Sequence, residues 1–176
     1  LAFHYLDFLE VRNLSGVHVI GSSLGGWIAA EMAIRDPSRM ASLTLAAAAG
    51  IHVDGVAKGD LFLWTPEERI RNLFHDPALA EARLAVTPTE EEIDIGLKNE
   101  FATANLAWSP RFYNPQLRKW IHRIKLPTQI IWGDDDRIFP GEYAAAWHEL
   151  IPGSCLEIFA DCGHLPHVEN PDAFVA

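Results

Sequence analysis

Two serines and three glycines separate an apolar run from an alanine-rich one in "VHVIGSSLGGWIAAEMA", residues 17–33. Gly21, Ser22, Ser23, Leu24 and Gly25 fit the spacing G-x-S-x-G. That spacing matters chemically when a strand leads in and a helix leads out, because the central serine then sits in a sharp, strained turn. Glycines two residues either side remove the Cβ atoms that would collide there. Ser23 is therefore the presented hydroxyl, and Ser22 packs in the turn. The helix that follows aims its free N–H groups and positive dipole end at the turn, which favours negative charge on a bound oxygen. The N–H of Leu24 is the expected donor to such an oxyanion.

A serine hydroxyl needs a base to become a nucleophile, and the base needs an acid to orient it. Both come later in the chain. "IIWGDDDRIFP" reads as a strand ending at Gly133 that delivers Asp134, Asp135 and Asp136, and "CLEIFADCGHLPHVENP" as a strand ending in a loop with His164. Serine, acid, histidine is the chain order of one serine-hydrolase architecture and differs from the orders on other folds. Asp54, just after the second strand, is a further place for the acid. His167 is expected to pack near the site. His4, His18, His75, His122 and His148 read as surface or boundary residues with no zinc-site spacing, so no metal and no cofactor is expected.

These residues need elements to hold them. Residues 1–14 read as an amphipathic helix with Leu6, Phe8 and Leu9 on its apolar stripe, closed by Ser15 and Gly16. "VHVI" is a β-branched strand of the kind buried in parallel sheets. "WIAAEMAIRD" is a helix that stops where Asp36 precedes Pro37, and "ASLTLAAAAG" a strand ending at Gly50. From 52 to 125 the texture turns to charge, Trp and Pro. Helical patterns there, "TPEERIRNLF" and "TPTEEEIDIGLKNEF", each open with threonine as N-cap and proline at the first helical position. The strand "PTQIIWG", the helix "GEYAAAWHELIP" and the strand "CLEIFA" follow, and Asn170 before Pro171 reads as another N-cap. Alternating strands and helices imply an α/β fold with a parallel sheet. Its parts are 1–51 with the serine turn, an inserted helical segment 52–125, and 126–176 with the acid and the histidine.

The chain resembles the α/β-hydrolases of the single-chain, capped type, which include esterases, C–C bond hydrolases and haloperoxidase-like enzymes. The likeness runs from Leu6 to the last residue. The family pattern W-G-x-x-D-x-x-x-P, here "WGDDDRIFP", implies Asp136 as the acid, with Asp134 and Asp135 capping or solvating the turn. G-H-x-P-x-x-E-x-P, here "GHLPHVENP", implies His164 as the base, with Glu169 stabilising its loop. A parallel-sheet α/β-hydrolase core with a helical cap at 52–125 is implied. In the cap, Trp64, Phe101, Trp108, Phe112 and Tyr113 build its core or line an acyl-side pocket. The family also has several strands and an H-G-type loop, source of a second oxyanion donor, before the serine turn. Here the chain opens in the helix that precedes the serine strand. The core is accordingly expected to be incomplete at its N-terminus, a poor catalyst alone, with a sheet edge open to self-association.

The expected activity is a serine hydrolase acting on a small, largely apolar carboxylic ester through an acyl-enzyme. Epoxide hydrolases and haloalkane dehalogenases carry an aspartate where this chain has Ser23. Cleavage of a C–C bond beside a ketone uses the same three residues, and a ligand-binding, non-catalytic homologue is the alternative from another class. Composition narrows the partner. Hydrophobic residues make up 49% of 176, enough for a sizeable core, and the formal charge of -10 argues against nucleic acid and an anionic membrane surface. A small-molecule substrate remains. Cys155 and Cys162 end the strand "CLEIFADC" roughly 20 Å apart, too far to bridge. Two free thiols and a cytoplasmic location are expected. No apolar run is long enough to span a bilayer.

Overall fold

A computed structural model describes every residue, Leu1–Ala176. In chain order the elements are α1 (Ala2–Val11), β1 (Val17–Ser22), α2 (Leu24–Arg35) and β2 (Met40–Ala46), then α3 (Pro66–Leu73), α4 (Pro77–Leu84), α5 (Glu90–Ala107) and α6 (Leu117–Trp120). A short 3-10 turn at Ile121–Arg123 leads to β3 (Thr128–Gly133), α7 (Gly141–Leu150), β4 (Cys155–Phe159), α8 (Pro166–Glu169) and α9 (Pro171–Val175). The four strands pair in parallel in the order β1-β2-β3-β4. Parallel neighbours require crossovers, which α2 and α7 supply at the two ends of the sheet while the helices α3 to α6 intervene between β2 and β3.

The sheet is an α/β core, as the alternating pattern implied. Ile130, Ile131 and Trp132 are consecutive on β3 and all buried, so both faces of that strand are covered. Leu43 and Leu45 on β2 are likewise sealed, each contributing about 1.5–3 kcal/mol by leaving water. The buried indoles keep partners: Trp132 Nε1 donates to Phe139 O at 2.7 Å and Trp147 Nε1 to Ala48 O at 3.1 Å. The outer strand β1 is different, with His18 and Ile20 exposed.

Helix ends follow local chemistry. α2 stops at Asp36, whose extended backbone precedes Pro37. α3 opens on a reciprocal capping box, Glu68 N–H donating to Thr65 Oγ1 at 3.2 Å and Thr65 N–H to Glu68 Oε2 at 2.8 Å. α5 begins two residues later than the Thr-Pro signal predicted. Its cap is Thr89, boxed with Glu92, a register that puts Glu90, Glu91 and Glu92 at the positive end of the helix. α4, capped by Asp76 before Pro77, was not anticipated, although Asp-Pro is the same kind of signal. In α1 Leu9 is buried, but Phe8 is exposed and off the packed stripe. Asn170 heads α9 without a side-chain cap bond.

The helices between β2 and β3 are fastened to the core at a buried carboxylate. Glu31 of α2 accepts from Trp27 Nε1 at 3.0 Å and Asn114 Nδ2 at 2.7 Å and pairs with Arg35. Burial alone would raise its pKa, but the bonds from Asn114, Arg35 and Trp27 outweigh that and hold it below the ordinary range.

Candidate active site

Ser23 leaves β1 and heads α2 with φ +52° and ψ -117°. A non-glycine residue there is strained by about 1–3 kcal/mol and persists only where its surroundings hold it. They do so through the backbone: Ser23 N–H donates to Ala46 O at 2.9 Å, and its carbonyl accepts from Gly26, Trp27 and Ala49 at 3.0, 3.3 and 3.0 Å. Gly21 lets the turn close, since a Cβ there would meet Gly26 Cα at 2.7 Å. A serine at a helix N-cap ordinarily caps its own helix. Ser23 makes no such bond; its Oγ lies 2.9 Å from His164 Nε2 instead.

The strand end at Gly133 delivers three carboxylates to three different surroundings. Asp136 is 4% exposed, and its Oδ1 accepts from the N–H groups of Ile138 and Phe139 at 2.8 and 2.9 Å. Its Oδ2 lies 2.8 Å from Nδ1 of His164, itself 2% exposed. Three N–H donors thus offset the loss of water around this buried carboxylate. A carboxylate only accepts, so Nδ1 carries the proton, and Nε2 is left to accept from the Ser23 hydroxyl. Asp134 turns the other way and accepts from Cys162 N–H at 3.2 Å, while Asp135 pairs with Arg137 at 2.6 Å and His75 at 3.0 Å.

Ser23, Asp136 and His164 therefore meet at the C-terminal ends of β1, β3 and β4, the end at which open parallel sheets bind ligands. Leu24 is the first residue of α2, and its N–H has no acceptor in the helix. Leu24 also borders a cleft of about 210 Å³ between the start of α1 and α2, lined as well by Leu1, Phe3, Trp27, Arg35 and Leu106 but not by Ser23 or His164. Asp54 is fully exposed and pairs with His52, whereas the His164 imidazole pairs with Asp136. His167 packs 5.7 Å from the Phe174 ring, and burial, then the neighbouring His164, hold its pKa below the usual histidine value. No group of three His, Cys, Asp or Glu side chains converges as metal ligands would.

The aromatic residues of the segment 52–125 divide. Phe112 is buried between Phe62 and Phe139, and Phe139 lies 5.7 Å from the His164 ring. Phe101 and Trp108 are exposed, the latter beneath the Arg111 guanidinium at 4.0 Å. Two neighbours had no signal in the sequence. Lys58 Nζ lies over the rings of Tyr113 and Phe139 at 5.3 and 5.9 Å, and burial pushes its pKa down against the pull of Asp60. His75 joins the α3–α4 connection to Asp135, beside the buried acid. Neither lies in a periodic pattern, and both contacts form across long stretches of chain.

Comparison with known proteins agrees with the fold. A family model described as alpha/beta hydrolase fold matches residues 4–171. A 2-hydroxy-6-oxo-2,4-heptadienoate hydrolase of Pseudomonas putida is 28% identical, the match covering 98% of this chain and 65% of that one. Lipase 1 of Psychrobacter immobilis is 27% identical over 94% of this chain and 56% of its own length. The chain thus spans less than two thirds of these relatives. A meta-cleavage product hydrolase from Pseudomonas fluorescens superposes with a TM-score of 0.76 at 23% identity, over 98% of this chain and 66% of that one.

Proposed function

We propose that this chain, which belongs to the alpha/beta hydrolase fold family, is a serine hydrolase with Ser23 as nucleophile, His164 as base and Asp136 as orienting acid. The observation that carries the reading is the continuous hydrogen-bonded line from Ser23 Oγ through His164 to Asp136, at 2.9 and 2.8 Å. Ser23 Oγ attacks a carbonyl carbon while His164 Nε2 takes its proton. The imidazolium so formed is stabilised by Asp136, and the new oxyanion by the N–H of Leu24. His164 then protonates the departing group, and water releases the acyl group by the same route. The segment 52–125 acts as the cap that selects the substrate, a small and largely apolar molecule.

Two bonds fit this chemistry. An ester would leave as an alcohol. A C–C bond beside a ketone would leave as a carbon acid, and the relatives named for hydrolysis of 2-hydroxy-6-oxo dienoates favour that second reading at least as strongly. Offering the chain p-nitrophenyl esters and a 2-hydroxy-6-oxo-2,4-dienoate in parallel separates the two. A fluorophosphonate probe tests the shared premise: it should modify Ser23, and failure to do so would return the ligand-binding alternative.

The remaining expectations extend this reading. The charge of -10 disfavours nucleic acid and anionic membrane surfaces as partners. No helix is long and apolar enough to cross a membrane. Cys155 and Cys162 are free, which suits a reducing compartment such as the cytoplasm. The outer edge of β1, with Ile20 exposed, is where two copies would associate.

A further inference from the structure

The loop that carries His164 is stitched to the helical segment by one carboxylate. Glu169, the last residue of α8, accepts through Oε1 from Gly163 N–H at 2.7 Å, immediately before the imidazole. Through Oε2 it accepts from the N–H groups of His75 and Asp76 at 2.8 and 3.2 Å, in the connection between α3 and α4. A second bond runs the other way across the same joint. His164 N–H donates to Leu73 O at 2.8 Å, and Leu73 ends α3, where a helix leaves its carbonyls without partners.

The joint is tight as well as bonded. Gly163 is buried, and a Cβ on it would meet His75 N and Leu73 O at 2.7 Å and Glu169 Oε1 at 2.9 Å. Only a glycine lets the two segments approach this closely. The His164 amide is thereby spent on the helical segment and the Gly163 amide on Glu169, which that segment holds in turn, so the backbone beneath the imidazole is held in part from the helical segment.

We infer that Glu169 is a positioning residue for His164, joining the segment 73–76 of the cap to the loop that holds the base. The inference rests on the reading of His164 as base. Seating of the cap and placement of the imidazole are then one event. Where the cap segment lifts, His164 N–H loses Leu73 O, Glu169 loses the His75 and Asp76 amides that hold its carboxylate against Gly163, and Nε2 moves from its place 2.9 Å from Ser23 Oγ. Misplacement of a reacting group by about 1 Å costs on the order of 100-fold in rate.

The test uses the 176-residue chain and the rate of Ser23 modification by a fluorophosphonate. Glu169→Gln keeps the shape but turns an amide donor towards an N–H donor. It should slow labelling about 10- to 100-fold while the near-ultraviolet circular dichroism stays native. Gly163→Ala should slow it by a similar factor from the opposite side of the joint, and the double variant should be no slower than the worse single. The Nδ1–H proton resonance of His164, which reports its bond to Asp136, should shift or broaden in both. Unchanged labelling and an unchanged His164 resonance in the folded variants would overturn the inference. Should either variant fail to fold, amide exchange in the wild type decides. The amides of Gly163, His164, His75 and Asp76 should open with one common free energy, and independent opening would overturn the joint. Absence of labelling in the wild type would refute the hydrolase reading alone, leaving the amide exchange to judge the joint.

Discussion

At the ends of β1, β3 and β4 the side chains are fixed by partners 28 and 141 residues away, whereas in α3 and α5 every cap bond closes within three residues. The two central strands are sealed, with Leu45, Ile130 and Trp132 fully buried. Helix α5 buries only Ala107 and leaves Ile93, Leu97 and Phe101 in the open. The contrast teaches that one region is built for fixed geometry and the other for independent adjustment. A strained serine needs neighbours that cannot yield, and these come only from packed strands. The inserted segment is assembled from helices whose ends hold themselves together.

The comparison can be broken most decisively at Ser23, the proposed nucleophile. Ser23→Ala should abolish fluorophosphonate labelling, and Asp136→Asn should lower turnover about 10⁴-fold with the fold unchanged, since it spoils the tautomer of His164. Labelling of any other serine at the wild-type rate would move the chemistry elsewhere. Next in size is the core. Leu45→Ala should lower stability by about 2–5 kcal/mol in denaturant unfolding, because β2 is packed on both sides and the site cannot collapse. Leu97→Ala on exposed α5 should change it by no more than about 0.5 kcal/mol.

Cap substitutions sharpen the contrast. Thr65→Ala and Thr89→Ala should each cost about 1 kcal/mol. Amide exchange should show the loss within α3 or α5, with the strands still protected; a matching loss in β2 and β3 would mean that the two regions unfold as one. The smallest effect is expected at His75. Its hydrogen bond to Asp135 raises its pKa, burial opposes, and the charges of Asp135, Asp161 and Asp134 add to the rise, with Arg137 sharing Asp135. A raised pKa in the folded state gives stability that is complete below the ordinary histidine value of about 6.5 and fades as pH climbs through the folded one. His75→Gln should thus lower the melting temperature slightly at pH 5–6 and not at pH 9, as read from melting curves across that range. Equal melting at both ends would show the pair to be inert.

Much of this was legible where the signal is local. Gly21, Ser23 and Gly25 are close in sequence, and a strand followed by a helix is enough to predict which serine is presented. The stop of α2 at Asp36 and the cap at Thr65 follow the same logic. Misreadings arose where two local signals competed or a distant surface decided. Thr87 before Pro88 was read as the cap, and the helix took Thr89 instead, which fills its first turn with acids. Phe8 carries the right residue type for a stripe, yet α2 packs against Leu9 and leaves it outside. Asn170 precedes a proline as a cap should, but its side chain makes no bond to its own helix.

Chain order and turn chemistry were therefore settled by the sequence itself: strand, serine turn, helix, three acids after the third strand, and a histidine after the fourth. These depend on backbone preferences within a few residues, which no distant contact needs to supply. The family spacing pointed to Asp136; the tertiary structure supplied its contact with the imidazole and the separate partners of Asp134 and Asp135, and it alone decided that the Ser23 hydroxyl serves His164 instead of its own helix. It also brought Glu169 against the amides of His75 and Asp76, more than ninety residues away in the chain. The physical reason is that a carboxylate's partner is fixed by which donors the packed strands and helices bring within hydrogen-bonding distance, and spacing along the chain carries no record of that.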